Sequence, residues 1–469
     1  MNKKSVITLA IALMAVGQVY AQQPKYIFYL IGDGMGTNQV NLTEIHQADT
    51  KGLNSYFPLI FSSFTNTTVA STNSLSHGVT DSAAGGTALA VGKKTKNGVI
   101  GMDSTGTQPI KSIAYAAKEK GFKVGIATSV SVDHATPSAF YATQPDRNHN
   151  YEIGLDLAKS NFDFFAGSGF LKTNITSTKE SAPELFPIFE KAGYKILRGK
   201  DAFKNHKNKG DKIIFINKEG EPVDALKFAI DQQESDMKLA DITRAAIENL
   251  TFKNDKGFFL MVEGGKIDWA CHANDGATAV REVLDFNETA LLAYEFYKKH
   301  PKETLIVVTA DHETGGLGIG NGSSTLNTKA LASQKVSQGA LSAKISDLRK
   351  SNPDASWDTV KKLLSDHVGL WTDVKVSKAD EEAIYKAYTA SFVDHKEESS
   401  KSLYASDDKI ATLAVSTLNK VASLAWSSSN HSAAYVPVYA IGAGAELFNK
   451  KMDNTEISKR IAEAAKFNF

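Results

Sequence analysis

The sequence predicts an α/β protein, a three-layer α/β/α sandwich with a mostly parallel central sheet and a helical insertion. Three observations carry this expectation. First, short apolar, β-rich runs recur along the chain at Tyr26–Ile31, Phe122–Thr128, Phe258–Val262 and Leu305–Thr309. Runs without polar alternation suit strands buried on both faces, as in a parallel sheet covered by helices on either side. Second, segments of helical period lie between them, such as Ile110–Lys120 and Ala277–Lys299. Strands alternating with helices are the pattern of a parallel α/β sheet. Third, each apolar run leads into acids or histidines: Asp33, then His134 and Thr136, Glu263, and Asp311-His312. Open α/β sheets hold their ligands beyond the carboxyl ends of the strands, so these four ends are expected to converge on one site.

The first element in the chain is a leader. Lys3 and Lys4 precede an apolar run from Val6 to Val16, and Val19-Tyr20-Ala21 suits cleavage. A signal peptide over residues 1–21 is expected, with the mature chain starting at Gln22 and a periplasmic or secreted location. That run is too short to span a bilayer, and no later segment is apolar enough to do so. Cys271 is the single cysteine, so no intrachain disulfide can form. With 53 Lys and Arg against 52 Asp and Glu, the net charge of +1 provides no electrostatic excess for sequence-independent nucleic-acid binding. Residues 22–469 read as one catalytic domain. The stretch from about Thr325 to Trp426 is polar and poor in Gly and Pro. Ser356 precedes Val360 and Leu364, and Ser377 precedes Ile384 and Tyr388, each as a capped amphipathic helix. It is expected to be a helical insertion that either shapes the entrance or serves only stability or association.

The chemistry lies in three clusters. Gly32-Asp33-Gly34-Met35-Gly36 follows a strand, but Thr37 stands where a dinucleotide fingerprint needs its third glycine. An aspartate between glycines can instead approach a metal closely. Asp268 and His272 are four apart after Glu263, so one helical turn puts both on one face. Carboxylate and imidazole together suit zinc. Asp311-His312 supplies a second such pair at another strand end. In Thr80-Asp81-Ser82-Ala83-Ala84, Ser82 enters an alanine-rich segment near a helix N-terminus, where free N–H groups favour phosphate. A serine hydroxyl needs a base or a metal to act as nucleophile. The chain has no Gly-x-Ser-x-Gly elbow, which leaves a metal as the natural activator.

Taken in order, Gly-Asp33-Gly-Met-Gly, Asp81-Ser82-Ala-Ala, Glu263…Asp268…His272, Thr-Ala-Asp311-His312 and His431 before Val436-Pro437-Val438 resemble the alkaline phosphatases. The resemblance implies hydrolysis of small-molecule phosphate monoesters through a phosphoserine on Ser82. It implies two Zn2+ and one Mg2+. Asp268, His272 and His431 would hold the first zinc. Asp33, Asp311 and His312 would hold the second, with Ser82 on its substrate side. Asp33, Thr136 and Glu263 would hold the third ion. Arg147, thirteen residues after His134, would grip phosphate with its planar fork, and a homodimer is implied. His134 stands where many bacterial members have aspartate, and imidazole suits zinc better than magnesium, so the third site could take Zn2+. A sulfatase reading fails because Ser82 lies in Ser-Ala-Ala-Gly-Gly rather than a Cys/Ser-x-Pro-x-Arg motif. A diesterase would typically lack the third site and Arg147, and a binding protein without turnover would show no steady hydrolysis.

Overall fold

A computed structural model describes residues 23–53, 56–322 and 324–469. The expected leader lies outside the described residues. Ten strands form the main sheet: β1 Tyr26–Ile31, β2 Asn66–Ser71, β3 Lys123–Thr128, β4 Phe164–Ala166, β5 Tyr194–Arg198, β6 Lys212–Ile216, β7 Phe258–Glu263, β8 Thr304–Thr309, β9 Val436–Gly442 and β10 Met452–Asp453. Their order is β10-β2-β9-β8-β1-β7-β3-β4-β6-β5. Only β9 runs against its neighbours, β8 and β2; the other pairings are parallel. The α/β class and mostly parallel sheet expected from the apolar runs are thus present.

Every residue of β7 and β8 is buried. Side chains alternate between the faces of a strand, so both faces of the sheet centre are covered. This is why these strands show no polar alternation. Register then sets the site. Ile31 pairs with Glu263 and with Thr309, and Thr128 pairs with Glu263. The carboxyl ends of β8, β1, β7 and β3, four neighbours in the sheet, therefore stop at one level.

The helix expected over Ile110–Lys120 begins later, at Ile113, and ends at Glu119. The Ile110 N–H donates to the Gly101 carbonyl at 2.8 Å, which holds the preceding residues in a loop. The helix Gly276–Lys299 starts where Asp275 accepts from the Thr278 N–H at 3.1 Å. Between residues 325 and 426 lie the helices Gln338–Ser351, Trp357–Val368, Lys378–Tyr388 and Lys409–Val421. Ser356 and Ser377 accept from the Thr359 and Asp380 N–H groups. The inner faces share a core of Ile345, Val360, Leu364, Ile384 and Leu418 that continues onto Leu42 and Val280 of the main body. A small antiparallel hairpin, Ser399–Lys401 with Ser406–Asp408, projects from this region. Among the described residues no helix is long and apolar enough to cross a membrane.

Candidate active site

Three groups of side chains meet beyond those strand ends. Within each of the sets Asp268, His272, His431; Asp33, Asp311, His312; and Asp33, His134, Glu263, one ligand atom per residue lies within 4.8 Å of the others. Asp33 belongs to two sets and joins them. The helix Lys266–His272 sets Asp268 and His272 one turn apart, with His272 Nε2 3.3 Å from Asp268 Oδ1. His431 arrives on a two-residue strand paired with Glu313–Thr314. Its ring stacks on that of His312 at 3.6 Å between centroids. The backbone packs closely here: Gly34 has φ of +73°, and a Cβ on it would sit 2.8 Å from the Asp268 Cα.

Ser82 is fully buried and is the first residue of the helix Ser82–Val91. The cap itself is Asp81, whose carboxylate accepts from the Ala84 N–H at 2.9 Å. Ser82 is thereby released from capping, and its Oγ lies 3.2 Å from His312 Nε2. Gly85, one turn on, lets this helix pass against the Asp311 backbone; a Cβ there would lie 2.9 Å from the Asp311 carbonyl oxygen. Asp81 also accepts from Arg147 Nη1 at 3.2 Å, so one carboxylate fixes both the helix start and the guanidinium. Arg147 Nη2 lies 3.4 Å from His134 Nε2. The Thr136 hydroxyl donates to Asp311 Oδ2 at 3.3 Å. Every residue singled out from the sequence is thus brought to one place.

The donor set fits cations. Both oxygens of Asp33, Asp268 Oδ2, Glu263 Oε1 and His134 Nδ1 are buried without a hydrogen-bond partner. Such groups are costly unless something satisfies them. Burial, and then the neighbouring carboxylates, hold Asp33 and Asp311 well above the usual carboxylate range. Burial, aided by the Asp268 charge, outweighs several hydrogen bonds at Glu263 and lifts it to about 7. Burial depresses His312 and His431, so both rings are neutral at neutral pH. Positive charge among these groups would reverse the cost for the carboxylates.

The histidines of the first set are pre-oriented. His272 Nδ1 lies 2.6 Å from the Ser429 carbonyl and His431 Nδ1 lies 2.9 Å from the Thr80 carbonyl. A carbonyl only accepts, so each Nδ1 carries a proton, and in the neutral ring each Nε2 is a lone pair. The two Nε2 atoms face one another at 3.1 Å. Two lone pairs at that separation repel unless a proton or a metal ion lies between them. Tetrahedral zinc with bonds of about 2.0–2.1 Å would hold two nitrogens roughly 3.3 Å apart.

The alkaline phosphatase family profile matches residues 24–163 and 164–467, nearly the whole described chain. The chain belongs to the alkaline phosphatase family. Alkaline phosphatase 4 of Bacillus subtilis is 32% identical over 444 residues, covering 92% of this chain and 87% of that protein. The cold-active alkaline phosphatase of Shewanella sp. superposes with a TM-score of 0.78 at 27% identity, covering 94% of this chain and 99% of that one. A TAB5 alkaline phosphatase with one histidine changed to glutamate, and with Mg bound in its M3 site, is 25% identical at a TM-score of 0.64, covering 96% of this chain and 100% of that one. As an alkaline phosphatase the protein is a hydrolase of phosphate monoesters.

Sequence reasoning missed several residues of this alkaline phosphatase site. Asp81 was expected only as part of a motif, yet it anchors Arg147. The Thr128 hydroxyl donates to Glu263, and that of Thr314 to Asp268; both threonines adjoin strand-end motifs, which is the signal that could have found them. Tyr404 comes from the hairpin at 399–408 and stacks on Trp269 at 4.4 Å and 13°. Nothing local in the sequence marks it.

Proposed function

We propose that Ser82 is the nucleophile of this phosphatase, that the three clusters hold two Zn2+ and a third ion, Mg2+ or Zn2+, and that turnover passes through phosphoserine. The observation that carries the reading is the Ser82 hydroxyl, 3.2 Å from His312 of the second cluster and at the start of a ten-residue helix. Bound there, two zinc ions would lower the pKa of a hydroxyl and neutralise charge on attacking and leaving oxygens. The remaining work falls to the chain. The free N–H groups of the helix start favour the phosphoryl group. Arg147, tethered through Asp81, offers its remaining N–H donors to phosphate oxygens in a charge-assisted pair. The Ser82 Oγ–P bond forms as the ester P–O bond breaks, and the alcohol leaves with a proton. Water then cleaves the serine ester to return Ser82 and release inorganic phosphate.

Labelled phosphate trapped at low pH should sit on Ser82. Ser82→Ala should abolish the label and lower kcat by a factor on the order of 1,000 or more while metal content is kept. Label on another residue would overturn the assignment. The same reading includes export with a mature N-terminus at Gln22, which N-terminal sequencing checks, and a homodimer, which sedimentation checks; both follow from the leader pattern and the family resemblance.

The third cluster has Asp33, Glu263 and the Thr136 hydroxyl as oxygen donors, with His134 beside them. Oxygen donors suit magnesium, and a ligating imidazole would suit zinc. In the TAB5 enzyme, a histidine-to-acid change goes with Mg in the M3 site, which supports treating His134 as the residue that tunes this choice.

A further inference from the structure

The hairpin at 399–408 belongs to the region outside the expected catalytic motifs, yet its tip is firmly fixed over the site. Its turn is closed by the Ser402 N–H donating to the Ala405 carbonyl at 2.9 Å. Gln338 Nε2 donates to Asp407 at 2.7 Å, and Arg349 is paired with Asp408. These contacts pin the hairpin base to the helix Gln338–Ser351. Tyr404, in the turn, lays its ring flat on Trp269. The same ring lies 5.4 Å from His272 of the first cluster and 6.1 Å from His134 of the third. It therefore bridges the two clusters.

The Tyr404 hydroxyl is buried and has no hydrogen-bond partner. Of the charged groups that act on it, the Arg147 guanidinium acts most strongly. A guanidinium only donates and cannot accept the phenolic proton. The His272 nitrogens face Ser429 and His431, and His134 Nε2 faces Arg147. None of these ring nitrogens accepts from Tyr404, and its hydroxyl meets no acceptor among the described residues. A buried hydroxyl without an acceptor is unfavourable, because it has given up its hydrogen bond to water. An oxygen held in front of Arg147 would supply that acceptor.

We propose that Tyr404 is a substrate-contacting residue: its hydroxyl donates to a non-bridging oxygen of the phosphoryl group that Arg147 grips, so that the hairpin completes the phosphate site. This rests on the reading of Ser82 and Arg147 given above. Stacking on Trp269 holds the ring, and the Asp81 tether holds the guanidinium, so the two donors are positioned independently and converge on one dianion. Product phosphate has the same oxygens and should feel the same donor.

Tyr404→Phe removes the hydroxyl and keeps the stacked ring. In the metal-loaded full-length enzyme, the inhibition constant of inorganic phosphate should rise roughly tenfold, and kcat/KM for p-nitrophenyl phosphate should fall by a similar factor. Zinc content and Tm should match the wild type, because the ring contacts persist. Trp269→Phe should produce a smaller change of the same kind, by loosening the ring without deleting the donor. An unchanged phosphate constant in Tyr404→Phe, with Ser82 labelled normally in wild type, would overturn the Tyr404 assignment and leave the nucleophile reading intact. Failure to label Ser82 in wild type would instead remove the reading on which the proposal stands.

Discussion

The first and third clusters both combine acids with histidine and behave differently, because their histidines have different outer partners. His272 and His431 each turn Nδ1 to a main-chain carbonyl and leave Nε2 as a lone pair facing the cage. His134 turns Nε2 to Arg147 at 3.4 Å and leaves a buried Nδ1 3.9 Å from Glu263 Oε1. A guanidinium only donates, so in this contact His134 accepts at Nε2 and carries its proton on Nδ1. Burial, and then Arg147, lower its pKa to about 3, so the ring stays neutral. In this tautomer His134 can donate a hydrogen bond into the third cluster but cannot bind a cation there. Binding one would require the ring to move its proton and give up Arg147. The outer partner, not the histidine, decides what each cluster can hold.

The largest expected effect tests that contrast directly. His272→Ala should lose zinc and at least about a hundredfold in activity, since even outer-sphere changes cost 10–100-fold. His134→Ala should keep both zinc ions and lose much less. Elemental analysis beside p-nitrophenyl phosphate assays measures both, and equal zinc loss in the two variants would break the comparison.

A second effect concerns the protein stripped of metal. Around pH 7 unfolded carboxylates are deprotonated, whereas in the folded chain Asp33 and Asp311 are raised and Glu263 is lifted to about 7, so proton binding is favoured there. His272, raised despite burial because Asp268 lies beside it, acts in the same direction. The native state then binds more protons than the unfolded one, so stability falls as pH rises. The slope is about 1.4 kcal/mol per pH unit for each excess proton. The depressed His134, His312 and His431 act with the opposite sign near and below pH 6.5, and Lys266, lowered to about 8, does so as pH nears 8, so the fall is read around pH 7. Calorimetry with chelator should show Tm falling around pH 7, and metal-loaded enzyme should show a shallower fall, since Glu282, lifted to about 8 outside the clusters, remains. A flat or rising Tm in the stripped protein would show that these carboxylates are not held protonated.

The smallest effect is the most specific. His134→Asp replaces an imidazole that does not ligate in this tautomer with a carboxylate oxygen that can, and should tighten magnesium by about tenfold. Magnesium titration of zinc-reconstituted enzyme, wild type beside variant, reads it. Identical affinities and activation curves would place His134 outside the ion's influence.

Much of the site was legible because the fold class predicts where chemistry sits. Asp33, Glu263 and Asp311-His312 follow apolar runs, and a parallel sheet puts such residues on one edge. Asp268 and His272 are readable from helical spacing. Arg147 and His431 carry no local signal; only the resemblance to a family pointed to them. Ser82 was readable as a helix-start serine, but the sequence did not reveal that Asp81 takes the capping role and frees the hydroxyl. Tyr404 was not legible at all, since its position depends on a hairpin held by Gln338 and Arg349, more than fifty residues earlier in the chain.

The sequence by itself determined the strands, the helices and the residue types at their ends, because periodicity and side-chain chemistry act over a few neighbouring residues. It also determined that the described chain holds its fold without an intrachain disulfide, since Cys271 stands alone. Only the tertiary structure decided the register that brings four strand ends level, the carbonyls that set the His272 and His431 tautomers, and the guanidinium that sets that of His134. Those are contacts between residues far apart in the chain, and a proton's place on an imidazole depends on which atom packing puts opposite it.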